Sequence, residues 1–460
     1  MPELRQLFAA LSRGRLVTAD PGEPGLVLAG VSTDSRTVRP GELFVALRGE
    51  HHDAHEHLAQ ALATGAAALL VERWTVDCRP PVLLVDDTRR ALGEIAAGWR
   101  RRFRLPLIAV TGSNGKTTVK EMIAAVLARW VGEDARLATR GNLNNDVGVP
   151  LTLLRLAAHH RTAVVELGMN RPGEIAQLAR IAGAGVALVN NAQREHQEFL
   201  HTVEATAREN GEAIAALPPD GVAVFPGDDH HSGLWRALAG NRPRLEFGLA
   251  PGLDVHAAAD ARPQGFEATI RGQAVGLSLA IEGAHSVRNA LAAAACCHAV
   301  GVPAATIADG LAAFRPAAGR LRRLPSAAGG TLIDDSYNAN PDSVRAAVDV
   351  LAARPSPRVL VLGDMAEVGE QGPQFHAEVG GYARERGIDR LLALGPASRA
   401  TAAAFGAGAE HFATVEALCA QARVLDAAGT SLLVKGSRSM RMERVVQALA
   451  GPADDGGGHP

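Results

Sequence analysis

The chain has 460 residues, of which 47% are hydrophobic, and a formal net charge of −2. This length predicts two to four domains with separate cores, and the near-neutral charge argues against nucleic acid or an anionic membrane as the main partner. No weakly polar run is long enough to predict insertion into a membrane. The four cysteines lack the spacing of metal ligands, and so few cysteines in a long chain favour a reducing, cytoplasmic location.

The first α/β pattern occupies residues 30–86, where short apolar runs alternate with turn residues. It predicts a small α/β domain, followed by a helix at 88–102 that leads into the next pattern. The predicted elements of this domain are strands at 43–47, 67–71 and 82–85 and a helix at 55–64.

The second pattern begins with a buried strand at 107–110, a glycine-rich loop at 112–118 and a helix from 117 to about 130. Strands and helices that alternate in this way form βαβ units and predict a parallel sheet. Residues 221–281 carry shorter alternating strands with turns, which predict an antiparallel addition. The other predicted elements are strands at 163–165, 186–189, 266–270 and 274–281, helices at 173–181 and 287–300, and a linker at 314–324.

The α/β pattern restarts at residue 331, which indicates a third domain. Its predicted strands lie at 331–333, 358–362, 390–394 and 431–434. The predicted fold class is therefore α/β, with three domains that are each built on a largely parallel sheet. The predicted domain limits are 1–86, 87–316 and 317–460, with a disordered glycine-rich tail from about residue 451.

Lysine is rare in this chain, although basic residues are not. Of the 47 basic residues, only Lys116, Lys120 and Lys435 are lysines, and all the others are arginines. Lys116 lies in the glycine-rich loop. A compact ammonium can act as a point charge on phosphate oxygens where a planar guanidinium would be too bulky. This placement indicates a phosphate-binding loop.

The loop itself has the residue types that nucleotide binding needs. Because it joins a strand to a helix, its N–H groups converge on an anion at a helix N-terminus. In such loops the lysine reaches the β- and γ-phosphates and the next hydroxyl binds Mg²⁺. The strict pattern has a glycine where this chain has Val110, so a simple glycine turn before a helix is the alternative. The loop residues are Gly112, Ser113, Asn114, Gly115, Lys116, Thr117 and Thr118.

Two further polar residues follow predicted strands. Glu166 ends the strand at 163–165, and His196 follows the strand at 186–189. Ligands of open parallel sheets bind at the carboxyl ends of strands, so Glu166 is a candidate to hold a metal beside phosphates. The alternative is an ordinary surface carboxylate. Mg²⁺ prefers oxygen ligands, and on chemistry alone a lone histidine such as His196 is more often a hydrogen-bonded loop residue.

A polar segment at 334–341 closes a strand and opens a helix at the expected position of a domain cleft. Helix capping by Asn340, immediately before Pro341 at the first helical position, explains part of this pattern. Capping leaves Asp335 and Tyr337 unexplained, so these two residues are candidates for ligand contacts.

Taken together, these patterns resemble the Mur ligase family over about residues 31–449. The asparagine-rich stretch at 142–145 and the stretches at 334–341 and 435–438 look specific to the members that add a dipeptide. The residues that carry the resemblance lie at 34–36, 40–47, 112–118, 141–145, 166–168, 319–321, 334–341, 362–367 and 435–438.

The resemblance implies an ATP-dependent ligase that joins D-alanyl-D-alanine to UDP-N-acetylmuramoyl-tripeptide, with ATP and Mg²⁺ as cofactors. The γ-phosphate would pass to the tripeptide carboxylate, and the dipeptide amine would then attack the acyl phosphate. The product would complete the cytoplasmic precursor of peptidoglycan. We expect a monomer that binds neither nucleic acid nor membrane.

The resemblance also implies roles for individual residues. Catalysis would involve Lys116, Glu166, His196 and Arg320, and Mg²⁺ would be held by Thr117, Glu166 and His196. Lys120 also matches a family position, but one turn into a helix it is expected at a solvated surface. The remaining implied contacts are Asn289, Arg320, Asp335 and Tyr337 with ATP, Ser35 and Arg36 with the uridine nucleotide, Asn142, Asn145, Asn338 and Asn340 with substrate, and Lys435 and Arg438 with the carboxylate of the amino substrate.

The chain departs from the family pattern in two places. Many members carry a lysine in the helix after the histidine, carbamylated to position a second Mg²⁺, and the matching position here is Asn210. We hypothesise that no carbamate is needed and that Asn210, or a neighbour such as Glu209, positions the metal. The usual His-Asn before the adenine-binding asparagine is His285-Ser286 here, so the adenine pocket matches the family pattern less well than the phosphate loop does.

Several alternatives stay open from the sequence. The nearest are other ligases of the same fold, namely the muramyl ligase that adds the third residue and an enzyme similar to folylpolyglutamate synthase. A non-catalytic nucleotide-binding scaffold is a different class, with the missing lysine as its support. A simple kinase is weaker, because it would not need a first domain for a nucleotide sugar.

Overall fold

The structure, a computed structural model, describes residues 3–17, 25–49, 52–74, 80–195 and 197–451. Within these ranges, sheets of five, nine and six strands, each accompanied by helices, form three domains. This confirms the predicted three-domain α/β architecture. The tail expected to be disordered lies, from residue 452 onward, outside the described residues.

The first domain has a sheet with the order β1-β5-β4-β3-β2. Strands β2 to β5 pair in parallel, and β1 joins β5 in antiparallel fashion. Strand β4 is buried along its whole length, as expected for a parallel strand covered on both faces. The elements are the strands β1 (Arg15–Val17), β2 (Gly30–Ser32), β3 (Glu42–Val45), β4 (Ala68–Val71) and β5 (Val82–Leu84), the helices α1 (Leu4–Phe8), α2 (Leu58–Thr64) and α3 (Thr88–Arg100), and a 3-10 helix at Ala54–His57.

The central domain contains the nine-stranded sheet. Its strands are β6 (Leu107–Thr111), β7 (Arg136–Ala138), β8 (Thr162–Glu166), β9 (Val186–Val189), β10 (Val222–Pro226), β11 (Arg244–Gly248), β12 (Val255–Ala257), β13 (Phe266–Ile270) and β14 (Gln273–Leu277). Its helices are α4 (Lys116–Val131), α5 (Gly148–Leu153), α6 (Glu174–Ala182), α7 (Gln197–Leu200), α8 (Val203–Ala215), α9 (Ser232–Ala239), α10 (Ala284–Ala299) and α11 (Ala304–Ala313).

The strand order of this sheet is β14-β13-β12-β11-β10-β9-β6-β8-β7. Only the pairs β12–β13 and β13–β14 are antiparallel, whereas β10, β11 and β12 continue the parallel part. The predicted antiparallel addition at 221–281 is therefore correct only for its last three strands. The reason is α9, a short helix absent from the prediction, which carries the chain back across the sheet so that β10 and β11 run in the same direction.

The third domain has six strands in the order β15-β16-β20-β17-β18-β19, of which only β15 is antiparallel to its neighbour. Strand β15 begins inside the predicted linker at 314–324. The elements are β15 (Arg322–Pro325), β16 (Thr331–Asp335), β17 (Arg358–Gly363), β18 (Arg390–Leu394), β19 (Ala409–Phe412), β20 (Ser431–Lys435), α12 (Pro341–Ala352), α13 (Gly372–Glu385), α14 (Arg399–Phe405), α15 (Val415–Leu425), α16 (Glu443–Leu449) and 3-10 helices at Gly369–Gln371 and Arg438–Met440.

Helix α3 connects the first two domains physically as well as in sequence. It contacts α1 on one side and α5 and α6 on the other, so that one continuous apolar cluster runs from the first sheet to the central sheet. The domain limits at 86/87 and 316/317 stay predictions. None of the helices in the described ranges has the length and apolar character that crossing a membrane requires.

The sheets position the candidate site. Strands β6, β8 and β9 lie side by side in parallel, so their carboxyl ends meet at one edge of the central sheet. In the third domain, β16 and β20 pair in parallel with Asp335 opposite Lys435 at their ends. Polar side chains from both edges line the same cleft between the two domains.

Candidate active site

A cavity of about 1220 Å³ lies between the central and third domains. It brings together most of the residues that the sequence singled out, although they come from segments far apart in the chain. Gly112 is not part of its wall, but its carbonyl accepts a hydrogen bond from Lys116, which is. The predicted residues that line the cavity are Ser113, Asn114, Gly115, Lys116, Thr117, Thr118, Asn142, Asn145, Glu166, Asn289, Arg320, Asp335, Tyr337, Asn338, Asn340, Lys435 and Arg438.

The glycine-rich loop has the backbone geometry of an anion cradle. Gly112 and Gly115 have φ angles of +133° and +80°, which residues with a side chain rarely adopt. A Cβ at Gly115 would lie 2.8 Å from the side-chain amides of Asn190 and Asn289. The loop leads directly into α4, a 16-residue helix whose N-terminal N–H groups point at the cleft.

The Lys116 ammonium is held within this cradle. Its Nζ donates to the carbonyls of Gly112 at 2.6 Å and Ser113 at 3.0 Å, and to Glu195 Oε1 at 2.9 Å. The sequence interpretation missed Glu195, which follows β9 as part of the loop before His196. A phosphate that binds Lys116 must therefore compete with this carboxylate.

Glu166 is anchored through one of its two carboxylate oxygens. Oε1 accepts hydrogen bonds from Asn144 Nδ2 at 2.8 Å and from the Thr117 hydroxyl at 3.2 Å. Oε2 is buried and accepts none. A buried anionic oxygen without a hydrogen-bond donor, beside a hydroxyl, suits a hard divalent cation, which prefers oxygen ligands.

His196, the third predicted metal ligand, lies outside the described residues. Among the residues that the structure does describe, no group of three or more histidine, cysteine, aspartate or glutamate side chains is arranged to hold a metal. The fit of Mg²⁺ to this site therefore depends on Glu166 and Thr117. Asn144, which binds the Glu166 carboxylate, belongs to the asparagine-rich stretch but was not singled out.

The third domain contributes a cationic wall. The Arg320 guanidinium lies 3.9 Å from the centre of the Tyr337 ring, and Arg438 lies 5.8 Å from it on the exposed rim. Arg320 Nη2 also donates to the Thr117 hydroxyl at 3.2 Å and thus reaches the phosphate loop of the other domain. These contacts place two guanidinium groups around one aromatic ring at the cleft.

Lys435 lines the cavity, but its side chain is almost fully buried and already bound to other residues. Its side chain is 4% exposed, and Nζ donates to Asp335 Oδ2 at 2.6 Å and to the Asn338 carbonyl at 2.8 Å. Asp335 also accepts the Leu321 N–H at 3.2 Å. Lys435 and Asp335 therefore link the ends of β20 and β16 to the start of β15.

Besides Arg320, further polar contacts join the central and third domains, among them an ion pair of 3.1 Å between Glu282 and Arg354. The side-chain amides of Asn114 and Asn340 bind each other, with Asn340 Nδ2 donating at 2.9 Å, while Asn340 also caps α12. Arg194, which the sequence interpretation missed, binds Asp342 and Glu378 of the third domain, each with a shortest distance of 2.6 Å. No local sequence signal distinguishes Arg194 from the many other arginines.

The candidate adenine end of the cavity is built around amides. Asn289 Oδ1 accepts from Asn190 Nδ2 at 3.0 Å, which also donates to the carbonyl of Asn114 in the phosphate loop. Burial lowers the pKa of His285, so its imidazole is neutral at pH 7. The Ser286 hydroxyl donates to a main-chain carbonyl four residues earlier at 2.7 Å and does not line the cavity.

The predicted uridine-nucleotide contacts do not line this cavity. Ser35 is buried in the first domain, where its hydroxyl donates to Gln60 Oε1 at 3.0 Å. Arg36 is exposed and binds Asp34 through two hydrogen bonds of 2.9 and 2.7 Å, which lowers the pKa of Asp34 to about 2. Ser35 and Arg36 therefore lie in the first domain, apart from the cavity.

Three expectations about nearby side chains change with the structure. Lys120 is completely buried, so the expectation of a solvated surface residue was wrong. Asn210 is also buried and accepts a hydrogen bond from the Thr111 hydroxyl at 2.7 Å. Both oxygens of Glu209 accept N–H groups at the start of α6, at 2.9 Å, so this carboxylate caps a helix. Neither Asn210 nor Glu209 lines the main cavity.

Comparison with known proteins gives matches along the whole chain. Family models described as the Mur ligase family catalytic domain, the Mur ligase middle domain and the Mur ligase glutamate ligase domain match residues 27–100, 110–297 and 319–438. A relative from Escherichia coli named UDP-N-acetylmuramoyl-tripeptide–D-alanyl-D-alanine ligase is 43% identical, with 97% of this chain and 98% of that protein covered. A Haemophilus influenzae relative of the same name is 36% identical over 93% and 95% of the two chains.

Solved structures agree with the sequence relatives. The structure of MurF from Acinetobacter baumannii superposes with a TM-score of 0.89 at 35% identity and covers 96% of this chain and 97% of that one. The MurF ligase from Thermotoga maritima in complex with ADP has a TM-score of 0.81 at 27% identity, with coverage of 91% and 96%. With three matching family models and relatives of this similarity over nearly its full length, the chain belongs to the Mur ligase family.

Proposed function

We propose that this enzyme uses ATP to join D-alanyl-D-alanine to UDP-N-acetylmuramoyl-tripeptide and releases ADP and phosphate. The observation that carries the proposal is the shared cleft, in which Lys116 and Glu166 of the central domain face Arg320 and Tyr337 of the third domain. The relatives named for this reaction and the ADP-bound neighbour support the same substrates.

The reaction needs activation because a carboxylate is a poor electrophile. In the first step a tripeptide carboxylate oxygen attacks the γ-phosphorus, the bond to the bridging oxygen breaks, and ADP leaves. In the second step the dipeptide amine attacks the acyl carbon, and the bond to phosphate breaks with loss of a proton. The protein's main contribution is to position the reactants and to stabilise the negative charge that builds on the transferring group.

The loop residues would bind the triphosphate. N–H groups at the start of α4 and the ammonium of Lys116 meet the phosphates, and Lys116 exchanges its Glu195 carboxylate for phosphate oxygens. Arg320, already in contact with Thr117, adds positive charge from the third domain. Asn289 would contact adenine at the far end of the cavity.

Thr117, Glu166 and His196 would hold Mg²⁺. The buried Oε2 of Glu166, which accepts no hydrogen bond, supports this assignment. When bound, Mg²⁺ neutralises phosphate charge and orients the transferring group. Asn144 keeps the Glu166 carboxylate in place through Oε1.

The two substrates that are joined would be held by different domains. Ser35 and Arg36 would hold the uridine nucleotide on the first domain, and Asn142 and Asn145 would line the path of its peptide into the cleft. Arg438 suits the free carboxylate of D-alanyl-D-alanine, because its side chain is 63% exposed at the rim and its ion pair with Glu443 is open to solvent, whereas Lys435 is enclosed and bound to Asp335.

Asn338 and Asn340 would support substrate contacts from the third domain, which we place at residues 317–460. We place the first domain at 1–86 and the central domain at 87–316. The use of ATP and of a nucleotide-linked precursor favours action in the cytoplasm, and we propose that the enzyme acts there as a monomer.

Measurement of ADP release tests the proposal. With UDP-N-acetylmuramoyl-tripeptide present, D-alanyl-D-alanine should drive steady release, whereas free diamino acids or glutamate should not. The Lys116→Ala variant serves as the inactive control. Failure of D-alanyl-D-alanine to drive release, together with release when UDP-N-acetylmuramoyl-dipeptide and a diamino acid are supplied, would instead identify the ligase that adds the third residue. Release with a folate and glutamate would identify a polyglutamating enzyme.

A further inference from the structure

The three lysines of the chain share one kind of environment. Each ammonium donates both to a carboxylate and to at least one main-chain carbonyl: Lys116 to Glu195 and the phosphate loop, Lys435 to Asp335 and Asn338, and Lys120 to Glu121 and Thr139. Lys116 and Lys435 line the cleft, but Lys120 does not. The proposed reaction gives Lys120 no role.

Lys120 is unusual because its side chain has no exposed surface. It lies on α4 one turn beyond the phosphate loop, among the apolar residues that pack between α4 and the central sheet. An ammonium is costly to bury even when it is paired, and an apolar side chain of similar volume commonly fills such a position at least as well. Packing alone therefore does not explain a lysine here.

Thr139, the main-chain partner of Lys120, also contacts Glu166, the candidate metal ligand. Nζ donates to the Thr139 carbonyl at 3.0 Å, and the Thr139 hydroxyl accepts the Glu166 N–H, also at 3.0 Å. The Thr139 N–H donates to the carbonyl of Val164 at 3.2 Å, which ties the same residue to β8. Thr139 thus connects α4 to the end of the strand that carries Glu166.

The same segment also holds the Glu166 carboxylate. From Thr139 the chain continues into the asparagine-rich loop, where Asn144 Nδ2 donates to Glu166 Oε1 at 2.8 Å. The Asn144 carbonyl accepts the Gly168 N–H at 2.8 Å, two residues beyond Glu166. Residues 139–144 therefore hold both the main chain and the carboxylate of Glu166. Lys120 in turn fixes Thr139, the first residue of that segment.

We infer that Lys120 is a positioning residue that sets the place of Glu166 through Thr139, and so tunes the affinity of the site for a divalent cation. The inference rests on the proposed role of Glu166 as a metal ligand. It also explains why the position is not one of the many arginines. A compact ammonium reaches a single carbonyl in an enclosed space, whereas a guanidinium brings five N–H donors that would need partners there.

The competing explanation is that Lys120 only stabilises the packing of α4 with Glu121. Both explanations predict that Lys120→Met lowers the melting temperature, because this variant replaces only one member of the ion pair and leaves Glu121 and the Thr139 carbonyl without the ammonium. Only the positioning role predicts that its effect on metal binding depends on Glu166. A double-mutant cycle separates the two, because residues that act through one another give non-additive effects.

The test uses the full-length enzyme with ADP and Mn²⁺ as the probe, with free Mn²⁺ measured by electron paramagnetic resonance. Loss of an outer partner of a metal ligand lowers metal affinity by about 10-fold or more, and we expect this for Lys120→Met. Glu166→Gln should lower the affinity further, and adding Lys120→Met to Glu166→Gln should have little additional effect. ADP affinity without metal should be similar in all variants.

Two further variants keep the test decisive. Leu127→Ala removes a fully buried side chain from the same helix and should lower the melting temperature without changing Mn²⁺ affinity. Thr139→Val leaves Lys120 in place but removes the hydroxyl that accepts the Glu166 N–H. If Lys120→Met does not fold, Thr139→Val should still weaken Mn²⁺ binding, and this effect should also vanish in the Glu166→Gln background.

Additive effects of Lys120→Met and Glu166→Gln would overturn the inference, as would an unchanged Mn²⁺ affinity in Lys120→Met. A Leu127→Ala variant that loses Mn²⁺ affinity to the same degree would also overturn the inference, because the loss of affinity would then follow from lower stability alone. If Glu166→Gln itself binds Mn²⁺ normally, Glu166 is not a metal ligand. That result would refute the proposed metal site and, with it, this inference.

Discussion

The contact between Arg194 and the third domain offers the most direct test of how the cleft is held together. The Arg194 side chain makes three hydrogen bonds to Asp342, between 2.6 and 3.2 Å, and two to Glu378, at 2.6 and 3.0 Å. Its guanidinium also lies 5.1 Å from the centre of the Phe375 ring. Arg194→Ala removes all of these contacts and leaves only a main-chain hydrogen bond to Asp342.

The structure sets the size of the effect. Exposed ion pairs contribute about 0.2–1 kcal/mol, and breaking a fully buried pair costs about 3–5 kcal/mol. The side chains of Arg194, Asp342 and Glu378 are 22%, 23% and 33% exposed, and Glu378 keeps a second partner in Arg345. We therefore expect Arg194→Ala to weaken the association of the central and third domains by about 2 kcal/mol. This change shifts the ratio of joined to separated domains by about 30-fold.

Distance measurements between spin labels on the central and third domains of the nucleotide-free enzyme would detect this shift. The variant should show a longer and broader distance distribution, and its kcat/KM for ATP should fall by up to the same factor. Arg208→Ala is the matched control, because it removes an exposed ion pair to Glu204 that lies within α8. Unchanged distances and kinetics in Arg194→Ala would refute the reasoning.

The pH dependence of the same contact follows from Glu378. Hydrogen bonds from Arg194 lower the pKa of Glu378 below its ordinary value of 4.5. Because the folded-state pKa is lowered, this stabilisation is complete above the ordinary value and is lost as the pH falls through the lowered one. The distance distribution should therefore be constant between about pH 5 and 8 and should broaden only in more acidic solution.

Three further outcomes are expected. Lys116→Ala should lower kcat for ADP release by about 100-fold or more, since it removes a positive charge from the transferring phosphate, and near-normal turnover would contradict the phosphate-loop role. Gly115→Ala should raise KM for ATP and lower the melting temperature, because its φ of +80° and its contact with Asn190 disfavour a side chain, whereas Gly233→Ala, in open space on α9, should be tolerated. Removal of bicarbonate should leave activity unchanged, because Asn210 cannot form a carbamate; a reversible loss of activity would count against this hypothesis.

The most local features of the site were predictable from the sequence. The phosphate loop follows from an apolar strand, two glycines and a lysine before a helix, a pattern that determines the direction of N–H groups wherever the unit lies in the fold. The position of Glu166 follows from strand length and register, because the carboxyl ends of adjacent parallel strands meet at one edge. The roles of the individual residues in catalysis stay predictions.

Other features depend on packing that no local pattern contains. Lys120 looks like an exposed helix residue, yet α10 and α11 pack against its helix α4, and Thr139, the residue after β7, supplies its carbonyl partner. The direction of β10 and β11 depends on α9, whose eight residues are too few for a clear helical period. The sequence did not identify Arg194 and Glu195 as site residues, because their partners lie on other segments of the chain.

The sequence by itself determined the three α/β domains, the phosphate loop and the strand ends where polar groups collect. These depend on backbone conformation and side-chain period over a few neighbouring residues. Only the tertiary structure decided that Asn114 meets Asn340, that Arg194 binds the third domain and that Lys120 is buried and connected to Glu166 through Thr139. Such contacts join distant segments, and they form only when separate elements pack and exclude water from the same small space.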